Sequence, residues 1–247
     1  MTAPIGRLKS LWRYPVKSMR GEDLAKAWVS FSGIMGDRVY AFVNPEKKNN
    51  FPWLTAREVP EMILFTGEFE HPPEEDVRYP TAESYRTSII TPEGDRHAIE
   101  DPRLLDLLKE RWKRPIQLRF SEQGMQDSRP ISVFGLPTLA WLKEHSGAPI
   151  DALRFRANFY VEWAVGEPFY EETLIGKALQ IGPQAQIVFV KKDSRCVIIN
   201  LDPATAAPER RVLETIAKER GGHIGMYAAV LKEGLVSQGD LITLSEL

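Results

Sequence analysis

At 247 residues, 43% of them hydrophobic and 27% charged, the chain is long enough to bury a sizeable core as one large domain or two interlocked ones, and too ordinary in composition for disorder. Its formal net charge of -2 excludes a global basic field of the kind that draws proteins to nucleic acid or anionic membranes, so any anion site must be local. Residues 1–12 lack a signal peptide's apolar run, and no stretch approaches the roughly 18 apolar residues of a membrane span, which points to a cytoplasmic protein.

The first hundred residues carry short alternating or β-branched runs at 5–12, 27–30, 38–43, 62–69 and 87–90, a pattern of strands in a barrel or sandwich. Turn residues punctuate them at 45–50, at Pro72-Pro73 and at Pro92-Glu93-Gly94-Asp95. Tyr14-Pro15-Val16-Lys17-Ser18 follows the first strand directly. A turn there leaves Lys17 and the Ser18 hydroxyl near exposed backbone N–H groups, which can hold a phosphate; lacking the glycines of a P-loop, it reads also as a solvated turn. Gly36-Asp37-Arg38 and Thr55-Ala56-Arg57-Glu58 each end a loop with an arginine, whose planar fork suits an anion but is also common as a solvated surface charge. Asp101 can cap a helix from Pro102, with Leu104, Leu105, Leu107, Leu108 and Trp112 on one apolar face before Pro115.

The second half opens with a helix at 137–145 that Gly147 can end, followed by strands at 158–162, 178–181, 187–192 and 196–201. Arg154-Phe155-Arg156-Ala157-Asn158 stands at the first of these. Alternation would place Arg154, Arg156 and Asn158 on one face, either a polar wall for a heterocycle or a charged strand edge. Pro208 is expected to open a helix through Arg220, ended by Gly221-Gly222, and 226–231 with 241–244 read as two strands around a turn at 234–240. Strands outnumber helices, so the expected fold class is mainly β with covering helices (α+β).

The one cysteine, Cys196, lies in Lys191-Lys192-Asp193-Ser194-Arg195-Cys196 and excludes an internal disulfide, a multi-cysteine zinc site and an iron–sulfur cluster. A thiolate is a soft ligand for molybdenum, zinc or copper(I), and three basic neighbours fit an activated thiol; an inert buried thiol is the alternative. His71, His97, His145 and His223 show no metal-ligand spacing. Neither a Gly-x-Ser-x-Gly elbow nor a Gly-x-Gly-x-x-Gly fingerprint is present, which leaves hydrolase and Rossmann readings without support.

In order and approximate spacing, Tyr14-Pro15-Val16-Lys17-Ser18, Gly36-Asp37-Arg38, Phe155-Arg156-Ala157-Asn158 and Ser194-Arg195-Cys196 with Asp202-Pro203-Ala204-Thr205 resemble the MOSC family. That family includes the mitochondrial amidoxime-reducing component and bacterial relatives. The resemblance covers nearly the whole chain and implies an amino-terminal β-barrel domain at 1–120 and a MOSC β-barrel domain at 121–247, closing with Gly239-Asp240. It implies a molybdenum cofactor (molybdopterin), with Cys196 as metal ligand and catalytic residue, between Ser194-Arg195 and the strand beyond. The phosphate would be held by Lys17, Ser18 and Arg38, the pterin touched by Asp127, Arg156 and Asn158, and the approach lined by Thr55 and Arg57. At family level it also carries pyridoxal phosphate binding.

The family commonly shows Asp-Pro-x-Thr-Gly after the cysteine, whereas this chain has Ala206 in the glycine position; an easy positive-φ residue is lost and the loop is expected to differ. The membrane anchor of the mitochondrial relatives and the ferredoxin domain of some bacterial ones have no counterpart here. The implied activity is reduction of a small N-hydroxylated substrate, such as an amidoxime or hydroxylamine, with electrons from a separate flavin or iron–sulfur protein. A cofactor carrier or sulfur-delivery protein without turnover is the alternative, because fold does not fix function.

Overall fold

The computed structural model describes residues 3–48, 51–71 and 81–246; the end of the turn signal at 45–50 and the Pro72-Pro73 signal lie outside the described residues. The first half supplies β1 (Gly6–Arg13), β2 (Glu22–Asp23), β3 (Lys26–Ser30), β4 (Gly33–Ile34) and β5 (Tyr40–Val43). It continues through β6 (Thr66–Phe69), β7 (Thr87–Ile90), β8 (Arg96–Ala98), helix α1 (Pro102–Trp112) and β9 (Gln117–Phe120). The second half runs β10 (Ile131–Gly135), α2 (Leu136–Ser146), β11 (Phe159–Trp163), β12 (Ala178–Ile181), β13 (Ala185–Ser194), α3 (Arg211–Arg220), β14 (His223–Lys232), β15 (Gly234–Ser237) and β16 (Leu241–Ser245).

Seven strands close a barrel in the order β11-β10-β14-β13-β12-β16-β1, with β1 hydrogen-bonded antiparallel to both β16 and β11. Closure removes the exposed sheet edges, and the alternating pattern of β1 sends Leu8 and Leu11 to a core shared with Val161, Ile187 and Met226. The strand that completes the second-half barrel thus comes from the first half. In return, β15 leaves the second half to pair with β3.

The rest of the first half packs short sheets around its own core: β5 with β9, and β6-β7-β8. Helix α1 forms as expected. Asp101 caps it by accepting from the Arg103 N–H at 2.9 Å, Pro102 sits at its start, and Leu104, Leu108 and Trp112 are buried, Trp112 edge-on to Phe42 and Phe65. Helix α2 ends on Gly147 and α3 on Gly221, both left-handed, and the two helices cover the outside of the barrel over Phe134, Tyr160 and Ile199.

Several expectations need correction. The expected strand at 62–69 begins as a 3₁₀ turn, Pro60–Leu64, and becomes extended only at Thr66, because Pro60 sets a helical φ. The β-branched run after Cys196 is no strand: Val197–Asn200 is a 3₁₀ turn. Tertiary ties override its propensity, since the Asn200 carbonyl accepts from Arg154 at 2.7 Å and its side-chain oxygen caps α3 at the Leu213 N–H, 2.9 Å. Arg154 lies in another 3₁₀ turn, Ala152–Phe155, so strand alternation does not govern Arg154 and Arg156. Pro208 pairs with Leu201 and α3 starts at Arg211. Finally, residues 234–240 are not simply a turn. They contain β15, and β14 and β16 are separated in the barrel by β13 and β12.

Candidate cofactor site

The turn Tyr14–Ser18 beyond β1, the starts of β10 and β11 at Ser132 and Asn158, the last residues of β13 and Tyr227 within β14 meet at one side of the barrel. A cleft of about 350 Å³ opens there. All eleven residues singled out in the sequence line it: Lys17, Ser18, Arg38, Thr55, Arg57, Asp127, Arg156, Asn158, Ser194, Arg195 and Cys196. They arrive from six separate stretches of chain. Three of the six non-glycine residues with positive φ among the described residues are in this group: Ser18 at 66°, Arg38 at 54° and Arg156 at 51°. Left-handed backbone at a side chain that gains nothing locally from it is strain held by surrounding structure, and such strain concentrates at ligand sites.

Charge is the dominant property of the cleft. Eight lysine and arginine side chains line it against two aspartates, Asp127 and Asp193, in a protein whose whole formal charge is -2. Some of these cations are compensated. Lys17 Nζ donates to Asp127 at 2.5 Å and to the Met125 carbonyl at 2.6 Å. Arg38 pairs with the fully buried Asp37, which also accepts from the Tyr14 N–H at 2.9 Å. Arg154 pairs with Asp202 at 2.9 Å.

Arg156 is different. Among the described residues it has no ion-pair partner, and its Nη2 is buried without a hydrogen bond. Its guanidinium lies 4.4 Å from the centroid of the Tyr14 ring, where Arg38 also sits at 4.8 Å. Burial, with Arg38 adding repulsion, pulls its pKa down to about 10. Burial likewise pushes Tyr14 up to about 12 despite both arginines, so its hydroxyl stays protonated and donates to the Ala157 carbonyl at 3.3 Å. Burial depresses Lys17 as well, Asp127 opposing.

Cys196 is half-buried, with its thiol free. The three basic residues that precede Cys196 have contacts of their own. Lys192 pairs with Glu172 at 2.5 Å, Lys191 lies over the Tyr227 ring, and Arg195 is spent on Asp193 at 2.9 Å and on the carbonyls of Phe155 and Ile224. The cation at the sulfur is Arg57, from the first half. Burial lowers the Arg57 pKa, but the nearby Cys196 sulfur and Asp127, whose carboxylate is 3.5 Å away, raise it overall. Asn158 has its amide engaged in strand geometry, accepting from the Ser132 N–H at 3.0 Å and donating to the Trp12 carbonyl at 3.2 Å.

Sequence reading missed Ser132, Asp193 and Tyr227. Asp193 is buried, which raises its pKa, and accepts from Ser132 Oγ at 3.1 Å, with Tyr227 close by in the same cleft. The lone buried-position acid inside the expected strand 187–192 and its continuation was the one available signal. Ala206 takes φ 59° in place of the glycine, within a loop pinned by Asp202, whose Oδ1 accepts from the N–H groups of Ala204 and Thr205 at 3.0 and 3.1 Å. The left-handed position therefore persists without glycine.

Among the described residues no helix is long and apolar enough to cross a membrane, and no three His, Cys, Asp or Glu side chains cluster as a metal site. A free thiol and an arginine without an ion-pair partner among the described residues thus share one cationic cleft.

The sequence model of the MOSC domain matches residues 121–243, and that of the MOSC N-terminal beta barrel domain matches residues 5–100. The chain belongs to the MOSC family, whose domains are associated with molybdenum-cofactor binding. The YUAD protein from Bacillus subtilis shares the fold at TM-score 0.52 and 15% identity, each chain covered over 100% of its length. YiiM from Geobacillus stearothermophilus aligns at TM-score 0.37 and 18% identity over 48% of this chain and 55% of its own, and YiiM from Escherichia coli at 0.36 and 17% over 50% and 58%. No protein of curated function matches the chain.

Proposed function

We propose that this protein is a cytoplasmic molybdenum-cofactor oxidoreductase that reduces small N-hydroxylated compounds, amidoximes and hydroxylamines, as the family-level likeness to the mitochondrial amidoxime-reducing component suggests. The observation that carries the reading is the buried, unpartnered Arg156 guanidinium in the same cleft as the free Cys196 thiol. A buried cation without a counter-ion is costly, and an anionic ligand is what removes the cost. A soft thiolate is a ligand type suited to molybdenum. The residues present thus fit a phosphate-bearing, dithiolene-type cofactor. Cys196 would ligate the metal; Lys17, Ser18 and Arg38 would hold the phosphate; Arg156 would face the pterin with Asp127; Thr55 and Arg57 would line the approach.

When bound, the cofactor supplies the two-electron chemistry; reduction of an amidoxime to an amidine consumes two electrons and two protons and releases water. The chain's own part is electrostatic and positional. Arg57 sets a guanidinium in the cleft with the Cys196 sulfur, and Ser132 with its partner Asp193 and the nearby Tyr227 stand there as polar groups. Electrons would come from a separate flavin or iron–sulfur protein. Pyridoxal phosphate has less support. Lys17, the buried lysine of the cleft, is tied to Asp127 and Met125, and Lys191 is exposed over Tyr227.

The half-exposed thiol also suits a second reading, a carrier or sulfur-delivery protein. Protein expressed in a host that makes the cofactor should carry one molybdenum per chain and reduce benzamidoxime with an artificial donor. Cys196→Ser should keep the fold and melting temperature while losing both metal retention and turnover. Stoichiometric molybdenum without turnover favours the carrier; wild-type turnover in Cys196→Ser removes Cys196 from the chemistry.

A further inference from the structure

A second cavity, of about 360 Å³, lies against the first. Arg154, Arg156 and Ile198 line both. This one has apolar walls, with Trp12, Ile63, Leu153, Ile198, Leu201 and Pro203 among them, and charged residues, arginines balanced by Asp23 and Asp151, also border it. It is assembled from both halves of the chain. Trp12 comes from β1, Ile63 from the 3₁₀ turn before β6, Leu153 from the turn before β11, and Leu201 and Pro203 from the loop beyond Cys196. Arg20 donates to the Pro203 carbonyl at 3.2 Å and ties the two halves together at its edge.

The hollow is open to solvent along one side, and a concave surface lined mostly by apolar side chains with a few polar groups at its edge is the usual form of a small-molecule site. A cavity of about 150 Å³ already accepts benzene, so this one has room for a substituted or fused ring. The same 3₁₀ turn that presents Cys196 to the cleft presents Ile198 to both cavities two residues later. An occupant of the apolar cavity would lie next to the cysteine's cleft with only the Arg156–Ile198 edge between.

We propose that this cavity receives the apolar, ring-bearing body of the substrate, its N-hydroxylated head group extending past Arg156 and Ile198 towards Cys196. This rests on the reductase reading of the cleft. It assigns the substrate class as aromatic or alicyclic N-hydroxylated compounds, in preference to small hydrophilic ones.

Two substitutions fill the cavity from different elements, Leu153→Trp from the turn before β11 and Ala204→Phe from the exposed loop. Binding of 4-fluorobenzamidoxime to the molybdenum-loaded protein, followed by fluorine NMR, should be saturable in the wild type and at least tenfold weaker in each variant. The ratio of kcat/KM for benzamidoxime to that for hydroxylamine, which has no ring to place, should also fall at least tenfold. Molybdenum content and melting temperature report whether either variant has lost its fold or cofactor. Unchanged affinity and an unchanged ratio in a folded, loaded variant overturn the inference, as does absence of saturable binding to the wild type. A wild type that reduces neither compound sinks the reductase reading instead, and the NMR titration then still decides the cavity.

Discussion

Arg156 gathers several unfavourable features at one residue. It holds a left-handed backbone, a buried unpaired Nη2 and a pKa drawn down to about 10. Arg156→Met removes the unpaired charge, so the cofactor-free protein should be as stable as wild type or more so, by up to about 1 kcal/mol. Cofactor retention should move the other way, weakened by about 1–3 kcal/mol, roughly five- to hundred-fold. Melting curves of the apo proteins and cofactor release under mild denaturant measure the two halves. A destabilised apo variant with normal retention would show that Arg156 serves the fold alone.

Asp127 offers a test by pH. Burial opposes its charge, but Lys17, Arg57 and Arg38 outweigh it and hold its carboxyl below the usual range. A carboxylate whose folded pKa is depressed contributes stability above its unfolded pKa, near 3.9, and that contribution is lost as pH falls through the lower folded value. The gap in melting temperature between wild type and Asp127→Asn should therefore be widest near neutral pH and close as the solution is taken below about pH 4. A constant gap would mean that Asp127 contributes through shape and not through charge.

At the scale of elements, the loop after Cys196 shows how far local sequence reaches. Asp202 and the two N–H groups it captures are legible in Asp-Pro-x-Thr, because a short acidic side chain caps such turns. The left-handed conformation at residue 206 persists with alanine, where L side chains cost about 1–2 kcal/mol. Ala206→Gly relieves that strain but loosens the unfolded chain by about 0.4–1 kcal/mol. The net expectation is a gain of about 0.5–1 kcal/mol, or about 1–4 °C in melting temperature for a chain of this size. A lower melting temperature would show that the loop is held without strain.

Other elements explain the misreadings. Helix α1 was readable because its cap, its Pro102 and its apolar face agree. The run Val197-Ile198-Ile199 was not, because its β propensity is overruled by Arg154 and α3 gripping Asn200 from either side. Likewise the basic residues before Cys196 belong to a cationic cleft, but their own contacts lie elsewhere. Neighbours in sequence point elsewhere along β13, and Arg57 reaches the thiol from the other half of the chain.

For the whole molecule, the consequence of β1 closing the second-half barrel is that neither half is self-sufficient. Residues 121–247 alone would expose β11 and β16 as long unpaired edges and lose the packing of Leu8 and Leu11. That fragment should be unfolded or aggregated when expressed alone. Co-expression with residues 1–120 should restore a soluble complex with the native circular dichroism spectrum. A monomeric, cooperatively folding 121–247 fragment would contradict the shared barrel.

The chain by itself determined its β-rich class, its capped helices, the single soft ligand and the local clusters of cations, because each depends on residue type and short-range spacing. The tertiary structure alone decided that β1 completes the far barrel and β15 pairs back with β3. It also decided that six distant stretches share one cleft and that Arg57 approaches the thiol while Arg156 has no ion-pair partner among the described residues. The physical reason is that closing a barrel and satisfying buried charge are long-range requirements, set by which edges and which carboxylates meet in space.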